Sequence, residues 1–453
     1  MKVCLLSPPS PGGYIRSGRW AAKSKAKQSW YPIWLGYATA LLEREGHTCL
    51  LLDACTEGLN TTETTKKITM FNPDLIAFYF GYSTLAEDLK YAENLAKKYS
   101  VIFVGPWSFC LPNVLDNTSS VNLMTYGEFE HTLAEVANKK SLSSIRGLIW
   151  KNEANEVIRN PKRPLCSGEE LDRIPFVTKI YKKFLDFENY HQTSMRYPFI
   201  DLLSARSCPY HCTYCLWVRA LQHMDPGRYR QRSIGNVVEE LWWIKNNIPK
   251  VKQIWFQDDT LIKTRAIEIS QAILDEGLDI CWGGYSRANL DYETLRLMKD
   301  SGLRTLHVGY ESGDPETLRL IKKGVSIEQM EEFARHIQKL DLYVCAGFMI
   351  FPWESKESVR KTIMWSKKKI KSKRFSFTRL YAYPNTPICK TIESFRIQGA
   401  KFLTEDEMTR LEKEGFIENY LKNPSWIWDT LKHPREWRNV VYDARGLLSF
   451  LWK

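Results

Sequence analysis

Two hydrophobic periods alternate along the first 140 residues. Lys2 to Ser7 is a short apolar run closed by Pro8-Pro9, whereas Pro32 to Glu45 sets Leu35, Ala38, Leu41 and Leu42 on one helical face and stops at Gly46. Thr48 to Leu52 returns to a strand-like run that ends at Asp53, and Leu75–Phe80 and Val101–Val104 repeat it. Helical spacing recurs over Leu85–Lys98 and Glu130–Ala137. Strands alternating with helices at this interval predict an α/β unit over residues 1–140, a doubly wound, Rossmann-like parallel sheet with helices on both faces. Such sheets bind ligands beyond the carboxyl ends of their strands. The loops Gly81-Tyr82-Ser83-Thr84-Leu85, Gly105-Pro106-Trp107 and Tyr126-Gly127-Glu128-Phe129-Glu130 are suited to such binding. Turn glycines of this kind also serve any doubly wound fold without a ligand.

Periodicity weakens between Ser141 and Tyr197. Ile145–Trp150 reads as one strand of a hairpin and Asn160-Pro161-Lys162-Arg163-Pro164 breaks any helix, so 141–195 is expected to be a linker with limited structure. Order resumes at Phe199–Leu203. Five further apolar runs follow, at Gln253–Gln257, Asp279–Tyr285, Thr305–Tyr310, Tyr343–Phe351 and Phe375–Tyr381. Helical patterns at Ile234–Asn247, Thr264–Gly277, Tyr292–Ser301, Pro315–Lys322, Ile327–Leu340 and Lys356–Lys369 separate them. The repeat predicts a partial (β/α)6 barrel over 196–385, whose site lies at the carboxyl ends of its strands. Residues 386–453 are expected to form a small, mainly helical cap that includes Trp426, Trp428, Trp437 and Trp452, or a lid over a hydrophobic substrate. Gly446–Lys453 is too short to identify as a membrane-surface segment.

A chain of 453 residues exceeds one ordinary core, which agrees with several units. It has no run of about 18 apolar residues, and MKVCLLSPPS passes into prolines too soon for a signal peptide; the cytoplasm is the expected location. The net charge of +12 admits nucleic acid, anionic lipid or phosphorylated partners but selects none. The basic run Lys367–Arg374 most simply solvates and caps a helix C-terminus.

Cysteine spacing narrows the chemistry. Of 11 cysteines, only Cys208, Cys212 and Cys215 lie close together, directly after the strand Phe199–Leu203. Three thiolates on one loop can hold a [4Fe–4S] cubane and leave its fourth iron open. Zinc, held with the help of His211, is the rival. Polar residues end the barrel strands in turn: Asp258 and Asp259, Ser286 and Arg287, Glu311 and Ser312, then Pro352-Trp353-Glu354. Asp259-Thr260 and Ser312-Gly313-Asp314 could equally be helix caps.

The loop Cys208-Pro-Tyr-His-Cys212-Thr-Tyr214-Cys215 resembles the Cys-x-x-x-Cys-x-aromatic-Cys signature of the radical S-adenosylmethionine (SAM) superfamily. That resemblance implies SAM bound to the open iron and its cleavage to a 5′-deoxyadenosyl radical. It also implies SAM contacts from Tyr214, Asp258, Asp259, Ser286, Arg287, Glu311, Gly347 and Ile350. Phe256-Gln257-Asp258-Asp259 stands where the family carries Gly-Gly-Glu, which leaves open which aspartate meets the SAM amine. Gly309–Gly313 looks like the ribose-binding segment of the cobalamin-dependent branch, and Gly347–Ile350 like the strand that packs on adenine.

The first third resembles the cobalamin-binding domain that precedes many of these enzymes, through Pro8-Pro9, Gly46-His47, the strand ending at Asp53, Ser83-Thr84-Leu85, Gly105-Pro106 and Gly127-Glu128-Phe129-Glu130. It lacks the Asp-x-His-x-x-Gly motif that supplies an axial histidine, and Asp53-Ala-Cys55-Thr-Glu-Gly58 imitates only its spacing. The resemblance implies cobalamin with Ser83, Thr84 and Leu85 against its lower face, and Gly105, Pro106, Gly127 and Glu128 around its nucleotide tail. Together the two resemblances imply a C-methyltransferase that acts on an unactivated carbon through the radical and methylcobalamin. Alternatives are an oxidative cyclase or rearrangement enzyme with the same cofactors, a cobalamin-free enzyme that modifies RNA or another macromolecule, and a zinc-binding interaction protein. A small-molecule, lipid-like or peptide substrate and an electron donor such as flavodoxin or ferredoxin are the implied partners, with nucleic acid less favoured.

Overall fold

The computed structural model describes residues 1–10, 14–16, 22–23, 28–216 and 229–424. These residues fall into two compact units. One lies within 1–192, 198–202 and 219–250, and the other within 193–197, 203–218 and 251–453. The division does not follow the expected single boundary at 195/196, because Phe199–Leu202 and the helix Ile234–Asn247 group with the first unit. No described helix is long and apolar enough to cross a membrane.

In the first unit a seven-stranded sheet runs in the order Thr48–Asp53, Lys2–Ser7, Leu75–Tyr79, Ser100–Val104, Leu123–Thr125, Leu148–Lys151, Val157–Arg159. The first five strands are parallel, and the order reverses between Lys2–Ser7 and Leu75–Tyr79, the place where an open α/β sheet parts its loops to receive a ligand. The last two strands are an antiparallel hairpin on the sheet edge. Residues 141–195 are therefore not a loosely structured linker. Val157–Arg159 has only three residues, too few to show a period. The helix Thr61–Phe71 also escaped the pattern, because its threonine-rich sequence buries only Thr64 and Ile68; a capping box between Asn60 and Glu63 and a left-handed Asn72 define its ends.

The second sheet follows chain order: Phe199–Leu202, Gln253–Phe256, Trp282–Arg287, Leu303–Glu311, Tyr343–Ile350, Arg374–Arg379. Registers from Gln253–Phe256 onward are parallel. On one face Trp255, Tyr285 and His307 meet ring to ring; on the other, Tyr310 and Phe348 pack against Trp365 of the helix Lys356–Trp365. Side chains alternate between these faces, so this pair of observations assigns every later strand residue. The fourth crossover carries two helices, Pro315–Leu320 and Ile327–Lys339. The helix over the sixth strand is Glu405–Phe416, beyond the expected barrel end at 385; Gly415 lies against Phe377, and the Tyr420 hydroxyl both accepts from the Phe375 amide and donates to its carbonyl, each at 2.7 Å. The basic run is divided: Lys367 pairs with Glu418 at 3.1 Å, Lys373 with Asp341 at 3.3 Å, and Arg374 opens the sixth strand. Trp426, Trp428, Trp437 and Trp452 and the segment 446–453 lie outside the described residues.

Candidate active site

The cysteine loop begins at a turn that Asp258 organises. Its Oδ1 accepts from the Ser204 amide at 2.7 Å and the Ala205 amide at 3.1 Å, and its Oδ2 from the Ser204 hydroxyl at 2.5 Å. Arg265 donates to the Ser204 hydroxyl at 3.2 Å and carbonyl at 2.9 Å. Further along, the Thr213 amide donates to the Ile321 carbonyl at 3.0 Å, and the Ile388 amide to the Thr213 carbonyl at 3.1 Å. Both ends of the loop are thus held by distant segments of the second unit.

Cys208 and Cys212 are buried and Cys215 is half-buried. Burial above all pushes the Cys208 thiol up to about 12; a hydrogen bond from the Tyr210 backbone opposes this, while the nearby Asp259, Cys215 and Cys212 reinforce it. A buried Cys208 thiol that is costly to ionise alone, with Cys212 and Cys215 close by, fits a group whose positive irons compensate thiolates. Among the described residues no three His, Cys, Asp or Glu side chains gather around one single-ion position. A cubane asks for something else, thiols at three separate corners of one loop.

Alternation sorts the expected SAM residues. Arg287 continues the face of Tyr285 and Gly309 that of His307, while Gln257 and Asp259 lie just beyond the strand Gln253–Phe256. Gly347 pairs in register with Gly309, so adjoining strands present a wall without side chains. Asp258 has both oxygens engaged at the Ser204 turn, which sets it apart from its expected SAM contact, whereas Asp259 lies close enough to Cys208 to act on its thiol. Ser286 is on the helix side and donates to the Arg287 carbonyl at 3.1 Å. Ile350, 1% exposed, shares the helix side with Phe348; Met349 has the open parity instead.

Arg287 is 6% exposed, and its Nη1 reaches the Cys212 sulfur at 3.6 Å. Its Nε and Nη2 find no hydrogen-bond partner among the described residues, so they are buried donors not spent on the fold. Glu311, in a left-handed backbone conformation with φ +68°, accepts from Lys323 Nζ at 2.8 Å and from the Tyr214 hydroxyl. Burial and then the Glu311 charge raise the Tyr214 phenol well above its usual range, so it stays a donor. Behind them, Ser312 donates to Glu354 at 3.0 Å, and burial lifts that carboxyl to about 7. Sequence reading missed Lys323, which stands in no motif, and passed over Gln257 within Phe256–Asp259, whose side-chain amide oxygen is buried without a partner among the described residues.

In the first unit, the loops at the strand-order reversal are fastened by a buried ion pair. Arg16 meets Asp88 at 2.5 Å and donates to the Pro9 carbonyl at 2.8 Å, while Asp88 also accepts from the Gly81 amide and the Thr84 hydroxyl, each at 2.8 Å. Thr84 is thereby turned inward, whereas Ser83 and Leu85 remain half-buried. Gly105 (φ +113°) and Gly127 (φ +91°) adopt backbones that favour glycine, and Pro106 between Gly105 and the buried Trp107 is half-buried. Glu128 departs from expectation: both carboxylate oxygens bind Arg230, at 2.8 and 2.9 Å, and one also accepts from the Cys166 amide. It fastens the fold. Asp53 accepts from the Tyr190 hydroxyl at 2.9 Å, and the Cys55 thiol donates to the Tyr14 carbonyl at 3.5 Å, so the histidine-like spacing around Cys55 serves local packing.

The residue pattern of the radical SAM superfamily matches residues 202–365, which contain the cysteine loop and the strand ends just described. That segment is a radical SAM domain. Along 96% of its length it is 29% identical to an uncharacterized methyltransferase, PH0819, of Pyrococcus horikoshii, and the alignment takes in 95% of that protein. Among solved structures, the radical SAM methyltransferase TsrM of Kitasatospora setae, bound to tryptophan and a SAM analogue, superposes with a TM-score of 0.68 at 17% identity, over 87% of this chain and 76% of that one. OxsB, a cobalamin-dependent SAM radical enzyme bound to aqua-cobalamin and SAM, gives 0.68 at 15% identity, over 99% of this chain and 72% of that one. At these identities the two structures speak for the fold, and the likeness extends over both α/β units of this chain.

Proposed function

We propose that the chain is a cobalamin-dependent radical SAM methyltransferase acting on an unactivated carbon. One observation carries the reading: a doubly wound sheet, open at its strand-order reversal, and a cysteine-loop barrel occur in one chain, which aligns over 96% of its length with a methyltransferase-named relative and superposes over 99% of its length on a cobalamin-bound enzyme. Cys208, Cys212 and Cys215 are the cluster ligands. Arg287 offers two spare donors to the SAM carboxylate, Asp259 an acceptor to its amine, and Glu311 an acceptor to its ribose, while Gly309 and Gly347 leave room for the adenine. Ser83, Leu85, Gly105, Pro106 and Gly127 are the residues that would hold cobalamin.

When bound, the cluster and SAM supply a hydrogen-abstracting radical, and cobalamin supplies the methyl group. The chain's part is to orient SAM by its two ends and to keep stray hydrogen donors away. The reaction belongs in the cytoplasm, with a small-molecule, lipid-like or peptide substrate and a flavodoxin- or ferredoxin-type reductant. Incubating the reconstituted enzyme with methyl-labelled SAM and candidate substrates tests it. Product gaining one labelled methyl group supports methylation; product that only loses hydrogens, with no label, means cyclisation or rearrangement instead. Corrinoid absorbance after anaerobic purification with cobalamin supplied tests the first unit.

A further inference from the structure

We infer that Lys323 is a positioning residue: it fixes the Glu311 carboxylate at the joint between the cysteine loop and the ribose end of SAM, without touching SAM itself. The inference rests on the reading of Glu311 as a SAM contact.

Lys323 is 4% exposed, and its ammonium has Glu311 Oε1 at 2.8 Å as its hydrogen-bond partner among the described residues. A buried ammonium is retained only where a carboxylate meets it. Glu311 is in turn a residue under constraint. Its φ of +68° is one that a side chain with a β-carbon rarely adopts, and the register to the neighbouring strand slips between Gly309 and Glu311. The slip turns the carboxylate back over Gly309, where a β-carbon would collide with it and would come within 3.1 Å of Lys323 Nζ. Gly309 thus leaves the space that the ion pair fills.

The same carboxylate accepts from Tyr214, one of the two residues between Cys212 and Cys215. Backbone bonding repeats this connection, because Thr213 donates to Ile321, two residues before Lys323. Lys323 sits in a short turn between the two helices of the fourth crossover, bounded by left-handed Lys322 and Gly324. One carboxylate therefore ties three segments together: a strand end, the cluster loop and this turn. A carboxylate offers about four acceptor positions, so two protein donors leave capacity for the ribose hydroxyls. Without Lys323 the oxygens lose the cation that fixes their direction, and Tyr214 alone cannot hold both.

Lys323→Met, Lys323→Arg, Glu311→Gln and the Glu311→Gln/Lys323→Met double variant, each full length and cluster-reconstituted, test the inference. The readouts are iron and sulfide content, the electron paramagnetic resonance of the reduced cluster with and without SAM, and SAM affinity by equilibrium dialysis. Lys323→Met is expected to keep its iron and its SAM-free spectrum while binding SAM about tenfold more weakly. At saturating SAM its rate of 5′-deoxyadenosine release stays within about twofold of wild type, since the lost interaction acts on binding. Lys323→Arg recovers most of the affinity, and the double variant binds no more weakly than Glu311→Gln alone. Unchanged affinity in Lys323→Met overturns the inference. So does a double variant weaker than Glu311→Gln by the full Lys323→Met factor, the result of direct contact between the ammonium and SAM, and so does iron loss that Lys323→Arg does not repair. A wild-type cluster whose spectrum ignores SAM overturns the underlying SAM-site reading, an outcome separate from all of these.

Discussion

Arg287 lays its guanidinium on the ring of Tyr210, 3.9 Å from the ring centroid, and points one nitrogen at the Cys212 sulfur 3.6 Å away. A residue ending the third barrel strand is thereby stacked on a residue inside the cysteine loop. The flat, delocalised cation suits such a place, and an ammonium does not replace it.

Arg287→Lys keeps the charge but loses the stack and the forked donors. It is expected to weaken SAM binding on the order of tenfold, and Arg287→Ala by roughly a hundredfold, with iron content unchanged in Arg287→Lys. Equilibrium dialysis with labelled SAM checks both, and equal affinity in all three proteins contradicts the assignment.

Asp258 and Asp259, adjacent in sequence, are expected to fail in different ways. Asp258→Ala strips the Ser204 turn of its acceptor and leaves Arg265 facing a broken network, at a cost of about 2–4 kcal/mol of stability. Asp259→Asn leaves stability within about 0.5 kcal/mol and weakens SAM binding. Urea unfolding alongside SAM dialysis separates the two effects.

Glu128→Ala breaks a buried pair in which Arg230 and Glu128 are 2% and 4% exposed. The uncompensated guanidinium is expected to cost about 3–5 kcal/mol, visible as earlier unfolding of the first unit with or without cobalamin. If thermal unfolding is unchanged and only corrinoid binding falls, Glu128 is a ligand after all.

Glu354 gives a pH signature. Burial raises its carboxyl from 4.5 to about 7, so the folded protein holds this proton more tightly than the unfolded chain. The corresponding stability is fully present below about 4.5 and is lost as pH rises through 7. Glu354→Gln cannot ionise. Relative to wild type it is therefore expected to gain on the order of 2 kcal/mol between pH 5 and pH 8, measurable as converging or crossing denaturation midpoints. Parallel curves across that range exclude the shift.

How far the sequence could be read depended on how local each signal is. Strand and helix periods are properties of a few consecutive residues, so Lys2–Ser7, Glu130–Ala137 and Ile234–Asn247 coincide with their predicted bounds. Elements without a readable period were lost, as with Thr61–Phe71 and the three-residue strand Val157–Arg159. At the site, strand-end position singled out Arg287 and Glu311 together with Ser286 and Ile350 as equals, although a one-residue step on a strand reverses the face.

By itself the sequence determined the two α/β units, the three cysteines and the order of polar strand ends, because each is written in consecutive residues or fixed spacing. Tertiary structure alone decided which side chains are spent on the fold and which are left to a ligand. Asp258 is engaged by Ser204, Glu128 by Arg230 and Glu311 by Lys323, partners 54, 102 and 12 residues apart along the chain. A carboxylate's role follows from the donors that surround it, and those donors are brought together only when the strands pair.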